Sequence, residues 1–539
     1  MPAPGTAPAN AGTRPLLAGA VAGLVALVVF LGAAELVATA VGPESAPTIA
    51  VGQVAIAHTP NGIKEFAIRH FGEHDKMALL TGISVVLALV AAGVGAAAGF
   101  TRRRVVAVLA AGVLGAVSAA SAASLPTGGP LDAVPSLVGA ACAAGSFAAL
   151  LRPDRRATPR APRAHAEGLD APLPSTALAA RHAPELSRRR LLLAGGGLAA
   201  AGAAALLVGR SALRSATDAV ASRARVHLPR PARQGPLLAG SDLHVPGVPP
   251  YITPNHDFYR VDTALVVPKL PTEGYRLRLH GMVRSPRSWS YDELLRMPLA
   301  EHTVTLVCVS DPVGGPYVGN ARWLGVPLAP LLREAGVHPD ADQLLMTAQD
   351  GMTIGADLRA TMDGRPALLA VGMNGQPLPF EHGFPVRAVI PGFYGYASAC
   401  KWLVDLEVTT YEAKKAYWVE RGYSERAPIK LESRIDTPAS FAQLPRGPVT
   451  VAGEAWLPGI GIAAVQVSVD NGAWHDAHLA AADSVDTWRQ WRWTWHAAPG
   501  SHTLRVRAVD ARGRVQTAAS AGVIPNGASG RQSVVVTVN

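Results

Sequence analysis

The chain has 539 residues, more than one ordinary domain holds; 49% are hydrophobic and only 16% charged, a balance that points to a membrane portion. The net charge of +10 sits in local arginine clusters beside apolar runs, with no basic stripe interleaved with aromatics, which argues against nucleic-acid binding. The three cysteines, Cys142, Cys308 and Cys400, are too few for a disulfide scaffold.

Residues 16–41, 77–100, 105–125 and 131–151 are apolar runs, each long enough to cross a bilayer as a helix, which takes about 20 residues. Residues 191–208, rich in Ala and Gly, are a fifth run of marginal length. The first run taken alone reads equally as a cleaved signal peptide, but four more follow it, which favours a multi-pass anchor. Cys142 lies inside the fourth run and reads as an inert helix residue. Arg14, the cluster Arg102, Arg103 and Arg104, and the arginine-rich stretch 152–190 fall on one side if the N-terminus is cytoplasmic, and everything after residue 208 is then outside. Arg210, Arg214, Arg223, Arg225, Arg230 and Arg233, which follow the fifth run, count against that orientation. Residues 187–192, Ser-Arg-Arg-Arg-Leu-Leu, resemble a twin-arginine export signal and read alternatively as a stop-transfer flank.

Residues 210–245 read as a linker rich in Arg, Pro and Gly. From about residue 246 short Val/Ile/Leu strands alternate with loops and a few helices, one starting at Tyr291 with Ser290 as N-cap and one over Leu328–Ala335; the expected class is α+β. Beyond residue 437 the pattern is all β. Val465, Val467 and Val469 alternate with polar residues and run into an Asp470-Asn471-Gly472 hairpin turn. Trp491, Trp493 and Trp495 alternate in the same way and read as core rather than as a binding platform. This spacing points to an immunoglobulin-like β-sandwich. The expected organisation is a four-span all-α membrane bundle (1–151), a basic cytoplasmic linker (152–190), a fifth span (191–209), a linker (210–245), a catalytic domain (246–436) and the sandwich (437–539).

Cys308 ends an apolar strand and opens a polar, Gly-rich loop in the segment 304–325. A thiol there suits a metal-ligand or nucleophile role, although a small core cysteine is the default. His382, Arg387 and Lys401 lie among glycines, a composition that suits an anionic, phosphorylated ligand held by backbone NH groups and cations. Neither a GxxxxGK[ST] loop nor a GxGxxG turn after a strand is present, so the common nucleotide-binding motifs are excluded.

Taken together, Phe258-Tyr259-Arg260, Cys308, the run 319–323 (Gly-Asn-Ala-Arg-Trp), Asn374-Gly375, the run 382–387, Pro391-Gly392 and Lys401-Trp402 resemble the molybdenum-cofactor domain of the sulfite oxidase family. Ala455-Trp456, the run 465–472 and the run 507–510 resemble the family's immunoglobulin-like dimerisation domain. The resemblance implies Cys308 as thiolate ligand of molybdenum beside the dithiolene of a molybdopterin. It places His256, Phe258, Tyr259, Arg260, Asp350, His382, Arg387, Ala399, Cys400 and Lys401 around the pterin and its phosphate. It makes Tyr423 a residue that hydrogen-bonds substrate, and groups Cys308, Tyr423 and Arg260 as the catalytic set. A Cys308–Cys400 bridge would consume the metal ligand.

The sequence departs from that family after Cys308. Val309-Ser310-Asp311-Pro312 stands where sulfite oxidases carry arginines, no arginine follows until Arg322, and Asp311 would repel an anion, so sulfite is disfavoured. There is no CxxCH, and His58, His70 and His74 fall in the first outer loop, so haem in the anchor is unsupported. The expectation is a membrane-anchored, extracytoplasmic molybdopterin oxidoreductase. It would transfer an oxygen atom to or from a small substrate, use a separate electron-transfer partner, and pair as a homodimer through its C-terminal domain. The alternatives are a cofactor-free binding or scaffold protein of the same fold, and a transporter or sensor whose function lies in the spans.

Overall fold

The computed structural model describes residues 13–60, 62–63, 66, 70–71, 75–101, 103–125, 128–151, 188–214, 217–234 and 238–539. The chain divides into two compact units, Met1–Ser215 and Ala216–Asn539.

In the first unit the long helices are Thr13–Val41, Asp75–Thr101, Arg104–Ser124, Val134–Leu150 and Arg188–Arg214. Each contains a stretch long and apolar enough to cross a membrane, five in all among the described residues. A further helix, Pro47–His58, was not foreseen; Pro47 at its first position supplies a backbone angle that starts a helix. Small residues let the long helices touch backbone to backbone. A Cβ on Gly19 would clash with Gly95, one on Gly23 with Ala91, and one on Gly32 with Gly202. Glu35 is buried within the first helix and pairs with Arg210 at 3.7 Å. Large apolar side chains such as Leu89, Leu109 and Leu207 are exposed on the outside of these helices. Residues 152–187, Arg102 and His74 lie outside the described residues; the twin-arginine-like run enters them only through Arg188, Arg189 and Arg190, which begin the last long helix.

The second unit begins before the expected domain boundary. Residues 217–225, inside the stretch read as a linker, form a helix tied down by Ser222 to Thr272 at 2.7 Å and by Arg223, which donates to the carbonyls of Leu378 and Pro377. Further on, Arg233–Gln234 pairs in parallel with the strand Ala300–Val307.

Two sheets form the next layer. One runs Arg233–Gln234, Ala300–Val307, Val318–Pro327, Leu368–Met373, Arg387–Val389, with Gln376–Pro377 pairing at Leu368–Met373. The other runs Arg287–Ser290, Arg276–Gly281, Leu403–Thr409, Gln343–Ala348, Thr353–Asp357. Leu277, Leu279, Leu344, Met346, Leu406 and Val408 meet Leu369 and Val371 and the helix residues Leu328 and Leu332 in one core. The strand Leu368–Met373 is buried on both faces: Leu369 and Val371 enter that core, while Leu368 and Ala370 join Val304, Leu306, Ala321, Trp323 and Phe258 in a second. That explains its unbroken apolar sequence, since a strand covered on both sides has no water-facing positions. The helix Tyr291–Arg296 has the foreseen Ser290 cap, reciprocated by Glu293. The mixture of sheets with short helices is α+β, as expected.

Residues 432–538 supply two further sheets, of four and five strands, whose facing side chains, among them Val451, Val465, Val467, Trp491, Trp495, Leu504 and Val506, share one core. The tryptophan stripe is core, as read. Asp470 and Asn471 both have positive φ, at 51° and 60°, the geometry of the tight turn that their sequence proposes. The first strand of these sheets, Glu432–Thr437, starts earlier than the expected boundary at residue 437. Its polar composition (Glu-Ser-Arg-Ile-Asp-Thr) hides it from a hydrophobic pattern.

Candidate active site around Cys308

The strand Ala300–Val307 delivers Cys308 to its end. The thiol is buried, and the Cys308 amide donates to the carbonyl of Tyr317 at 2.9 Å, closing the loop 309–316 into a hairpin-like bend. Within that bend the Ser310 amide donates to the Cys308 sulfur at 3.4 Å. Burial pushes the thiol up to about 11, opposed by the Ser310 hydrogen bond, so the bare group is a neutral thiol at neutral pH. All three cysteines are free, and the Cys308–Cys400 bridge does not form.

Phe258 packs edge-on to Trp323 and His382, at 5.8 and 5.5 Å, and lies flat on Tyr259. Gly319 permits this: a Cβ there would come within 2.8 Å of the Phe258 ring. Tyr259 sits within electrostatic reach of Cys308 and Arg387, and burial followed by the Cys308 and Asp311 charges holds its hydroxyl well above the usual tyrosine range. The His382 ring faces the Asn255 carbonyl through Nε2 at 3.0 Å; a carbonyl only accepts, so Nε2 carries the proton and Nδ1 is left as acceptor. Burial, reinforced by Arg387, Lys401 and Arg260, pulls this histidine down to about 4, which keeps it neutral.

Arg387 is buried, its guanidinium 4.7 Å over the Trp323 ring, donating to the His382 carbonyl at 3.1 Å. Its Nε is buried with no hydrogen-bond partner. Burial pulls it down to about 10. Lys401 donates to Asp262 at 2.6 Å and to the Glu381 carbonyl at 3.2 Å. Arg260 reaches the same Asp262 at 2.9 Å. Asp262 therefore joins two cations that lie 141 positions apart in the sequence (401 − 260). Burial lowers Lys401 to about 8 against the pull of Asp262. Asp350 is raised by burial and by Asp262, and eased by Lys401, so it lies at the same cluster.

The structure brings Lys401 within electrostatic reach of Arg260, His382, Arg387 and Asp350, and brings Lys401 and Tyr259 within reach of Cys308. It sets three expected residues apart. His256 is exposed and pairs with Asp257 at 3.3 Å. Cys400 points into the apolar core between the two sheets, where burial drives its thiol far up, so only its backbone faces the site's strand, accepting from Ala388 at 2.9 Å. Ala399 contributes an amide already bonded to Gly395. Ala399, Cys400 and Lys401 precede the strand Leu403–Thr409 rather than ending one. Tyr423 belongs to an aromatic cluster with Tyr396 and Trp418, at 5.3 and 5.4 Å, that also contains Val307 and Val309 on either side of Cys308. Asp262 and Asn255 were missed; the Arg260-Val261-Asp262 spacing was the available signal for the first.

Asp311 does not act as expected. It is buried, accepts from the Tyr317 amide at 2.8 Å, and burial raises it to about 7. It braces the loop rather than presenting a fixed negative charge. Arg322, the first arginine after Cys308, pairs with Glu301. A cleft of about 520 Å³ beside this loop is lined by Gly314, Gly315, Pro254, Asp257, Arg434 and Trp488; Arg260, Arg387 and Lys401 do not line it.

Residues 264–418 match the family model described as oxidoreductase molybdopterin binding domain. Mouse mitochondrial sulfite oxidase is 33% identical over 290 residues, 45% of this chain and 52% of that protein. The uncharacterized oxidoreductase YuiH of Bacillus subtilis is 32% identical over 152 residues, 28% of this chain and 73% of that protein. The chain belongs to the sulfite oxidase family of molybdopterin-dependent oxidoreductases. It spans about half the length of the sulfite oxidases it matches. The solved sulfane dehydrogenase SoxCD from Paracoccus pantotrophus is 24% identical, with a TM-score of 0.47, covering 54% of this chain and 84% of that one.

The residues present fit the family's cofactor. Arg387 is a buried cation with an orphaned NH, in a group with Arg260 and Lys401 beside the acids Asp262 and Asp350. Such a group is unfavourable by itself and becomes favourable against an anion. Cys308 adds one soft sulfur donor beside it.

Proposed function

We propose that this chain is a membrane-anchored molybdopterin-dependent oxidoreductase working outside the cytoplasm, carrying out two-electron oxygen-atom transfer on a small substrate. The observation that carries this reading is the buried Arg387 with its unpartnered Nε, grouped with Arg260 and with Lys401, which lies within electrostatic reach of Cys308. When bound, the cofactor supplies the two-electron redox chemistry. The chain supplies position and electrostatics. The Cys308 sulfur holds the metal, with the Ser310 amide donating to it. Arg387, Arg260 and Lys401 bind the anionic part of the pterin. Neutral His382 offers Nδ1 as an acceptor, its orientation fixed through Nε2 and the Asn255 carbonyl. Tyr423, anchored by Tyr396 and Trp418, is the residue that would hydrogen-bond substrate.

The substrate is proposed to be neutral and sulfoxide-like or otherwise weakly charged. Arg434, the arginine that reaches the loop after Cys308, is neutralised by Glu454 and Asp436, so it offers no charge to a dianion. Electrons pass to or from a separate partner, and the C-terminal sheets, read as an immunoglobulin-like module, pair two copies of the chain. The first unit is the anchor, supported by its five apolar helices; a cytoplasmic N-terminus would put Arg14, the cluster 102–104 and the stretch 152–190 on one side, against the arginines from Arg210 on. The last of these helices continues the twin-arginine-like run and leads the catalytic unit across the membrane.

The test is metal analysis of matured full-length protein with a substrate panel of sulfite and sulfoxides, run in parallel on Cys308→Ala. About one molybdenum per chain and activity that disappears in the variant are expected. A matured sample without molybdenum overturns the enzyme reading and leaves the scaffold alternative. A reporter fused after residue 208 that works only in the cytoplasm overturns the orientation.

A further inference from the structure

We infer that Arg434 is a positioning residue for the loop that follows Cys308: a buried ion cluster in the C-terminal sheets clamps the loop 309–316 and so sets the hydrogen bond that the Cys308 sulfur receives. The juxtaposition is between the strand Glu432–Thr437 and a loop that precedes it by more than a hundred residues. Arg434 is buried and donates through Nη1 to the Gly315 carbonyl at 2.7 Å. Its other nitrogens are held at 2.7 Å by Glu454 and by Asp436. Glu454 is fully buried on the neighbouring strand Gly447–Trp456, paired to Arg434 across the register.

A second fastening lies beside the first. Gly314 has φ of +76°, and a Cβ there would come within 2.6 Å of the Gln532 side chain. Gln532 in turn accepts from the Ile435 amide, next to Arg434. The loop is therefore gripped at Gly314 and Gly315 by residues of the C-terminal sheets. Inside the loop, the Gly315 amide bonds the Pro312 carbonyl, the Tyr317 amide bonds Asp311, and the Asp311 amide bonds the Cys308 carbonyl. These short bonds carry a displacement at Gly315 back to Ser310, whose amide meets the sulfur. Hydrogen bonds to a ligating sulfur tune its donor strength, so the clamp acts on the metal through the loop. Packing alone does not need a buried arginine with two acids; an apolar cluster of the same volume would serve as well or better for stability. The retained function of the cluster is to fix the loop.

This inference takes its functional meaning from the reading of Cys308 as the metal ligand, but its test needs no metal. Metal-free full-length protein is treated with iodoacetamide, and the alkylation rate of Cys308 is measured by peptide mass spectrometry relative to Cys400, which is buried in the core of the same unit. Two variants are compared with wild type. Arg434→Met combined with Glu454→Gln removes the clamp; of the arginine's two acids only Asp436 keeps its carboxyl, and burial already raises that group towards its neutral form. Gly314→Ala pushes the loop away from Gln532 and leaves the ion cluster whole. The Cys308-to-Cys400 ratio is expected to rise about tenfold in the first and to rise also in the second. A general loss of stability would expose both thiols and leave the ratio unchanged. A ratio that rises threefold or more in either cooperatively folded variant supports the clamp; a smaller rise in both overturns it. If the double variant does not fold cooperatively, Gly314→Ala alone decides by the same threshold. Molybdenum content of matured wild type is a separate measurement, so failure of the clamp and failure of the ligand assignment are told apart.

Discussion

Arg387 shows how one side chain separates stability from function. A guanidinium buried over Trp323 with an unpartnered Nε is costly in the bare protein. Arg387→Met should therefore leave the melting temperature of metal-free protein unchanged or raise it, while cofactor content after maturation falls at least tenfold; differential scanning fluorimetry and metal analysis read the two effects. His382 gives a pH dependence of definite sign. Its folded value, about 4, lies below the ordinary 6.5, so the folded state binds this proton less readily than the unfolded one. The contribution is fully present above about pH 6.5 and is lost as pH falls through about 4. The depression corresponds to about 3 kcal/mol. In metal-free protein, the stability difference between wild type and His382→Gln, measured by denaturant unfolding, should shrink by up to that amount between pH 7 and pH 4. A difference that stays flat over that window would remove His382 from the buried group. Cys308 was legible in the sequence only through its neighbours. Asp262 was not, because nothing local distinguishes a carboxylate that will bridge Arg260 and Lys401 from one that faces water.

Elements carry their own predictions. The turn at Asp470 and Asn471 needs two consecutive positive φ angles, which Asn and Asp tolerate and β-branched residues do not. Asn471→Val should cost about 1–2 kcal/mol in unfolding free energy without touching any site residue. Trp491, fully buried between the two C-terminal sheets, should cost about 3–5 kcal/mol when cut to Ala. These elements were readable from the chain: the Asp-Asn-Gly turn, the Ser290 cap, the period-two strands and the apolar helices all obey rules that act over a few residues. The strand Glu432–Thr437 and the helix Thr217–Arg225 were not, because both are polar and owe their conformation to what they pack against. Arg434 is the clearest case, a charged residue on a polar strand that becomes buried only because Glu454, Asp436 and the Gly315 carbonyl await it.

At the scale of the molecule, the compact unit Ala216–Asn539 should fold without the helices before it. A fragment starting at residue 216 should be soluble and unfold cooperatively. One starting at residue 246 lacks the Ser222–Thr272 bond, both Arg223 bonds and Leu228, which packs against Gly372 and the core between the two sheets. It should lose about 3 kcal/mol or more, at roughly 1 kcal/mol for each hydrogen bond plus the buried leucine. Equal stability of the two fragments would show that the helix Thr217–Arg225 is only a tether.

By itself the sequence determined the five apolar helices, the α+β region, the β module with its tryptophan core, the family and the place of Cys308, because hydrophobic period, turn chemistry and motif order are properties of short stretches. Only the tertiary structure decided that Glu35 is buried against Arg210, that Asp311 braces a loop instead of repelling an anion, that Cys400 is core, that Asp262 joins Arg260 to Lys401, and that Arg434 reaches the loop after Cys308. Those outcomes depend on desolvation and on partners far away in the chain. A charge or thiol acquires its character from the groups that surround it once the chain has folded.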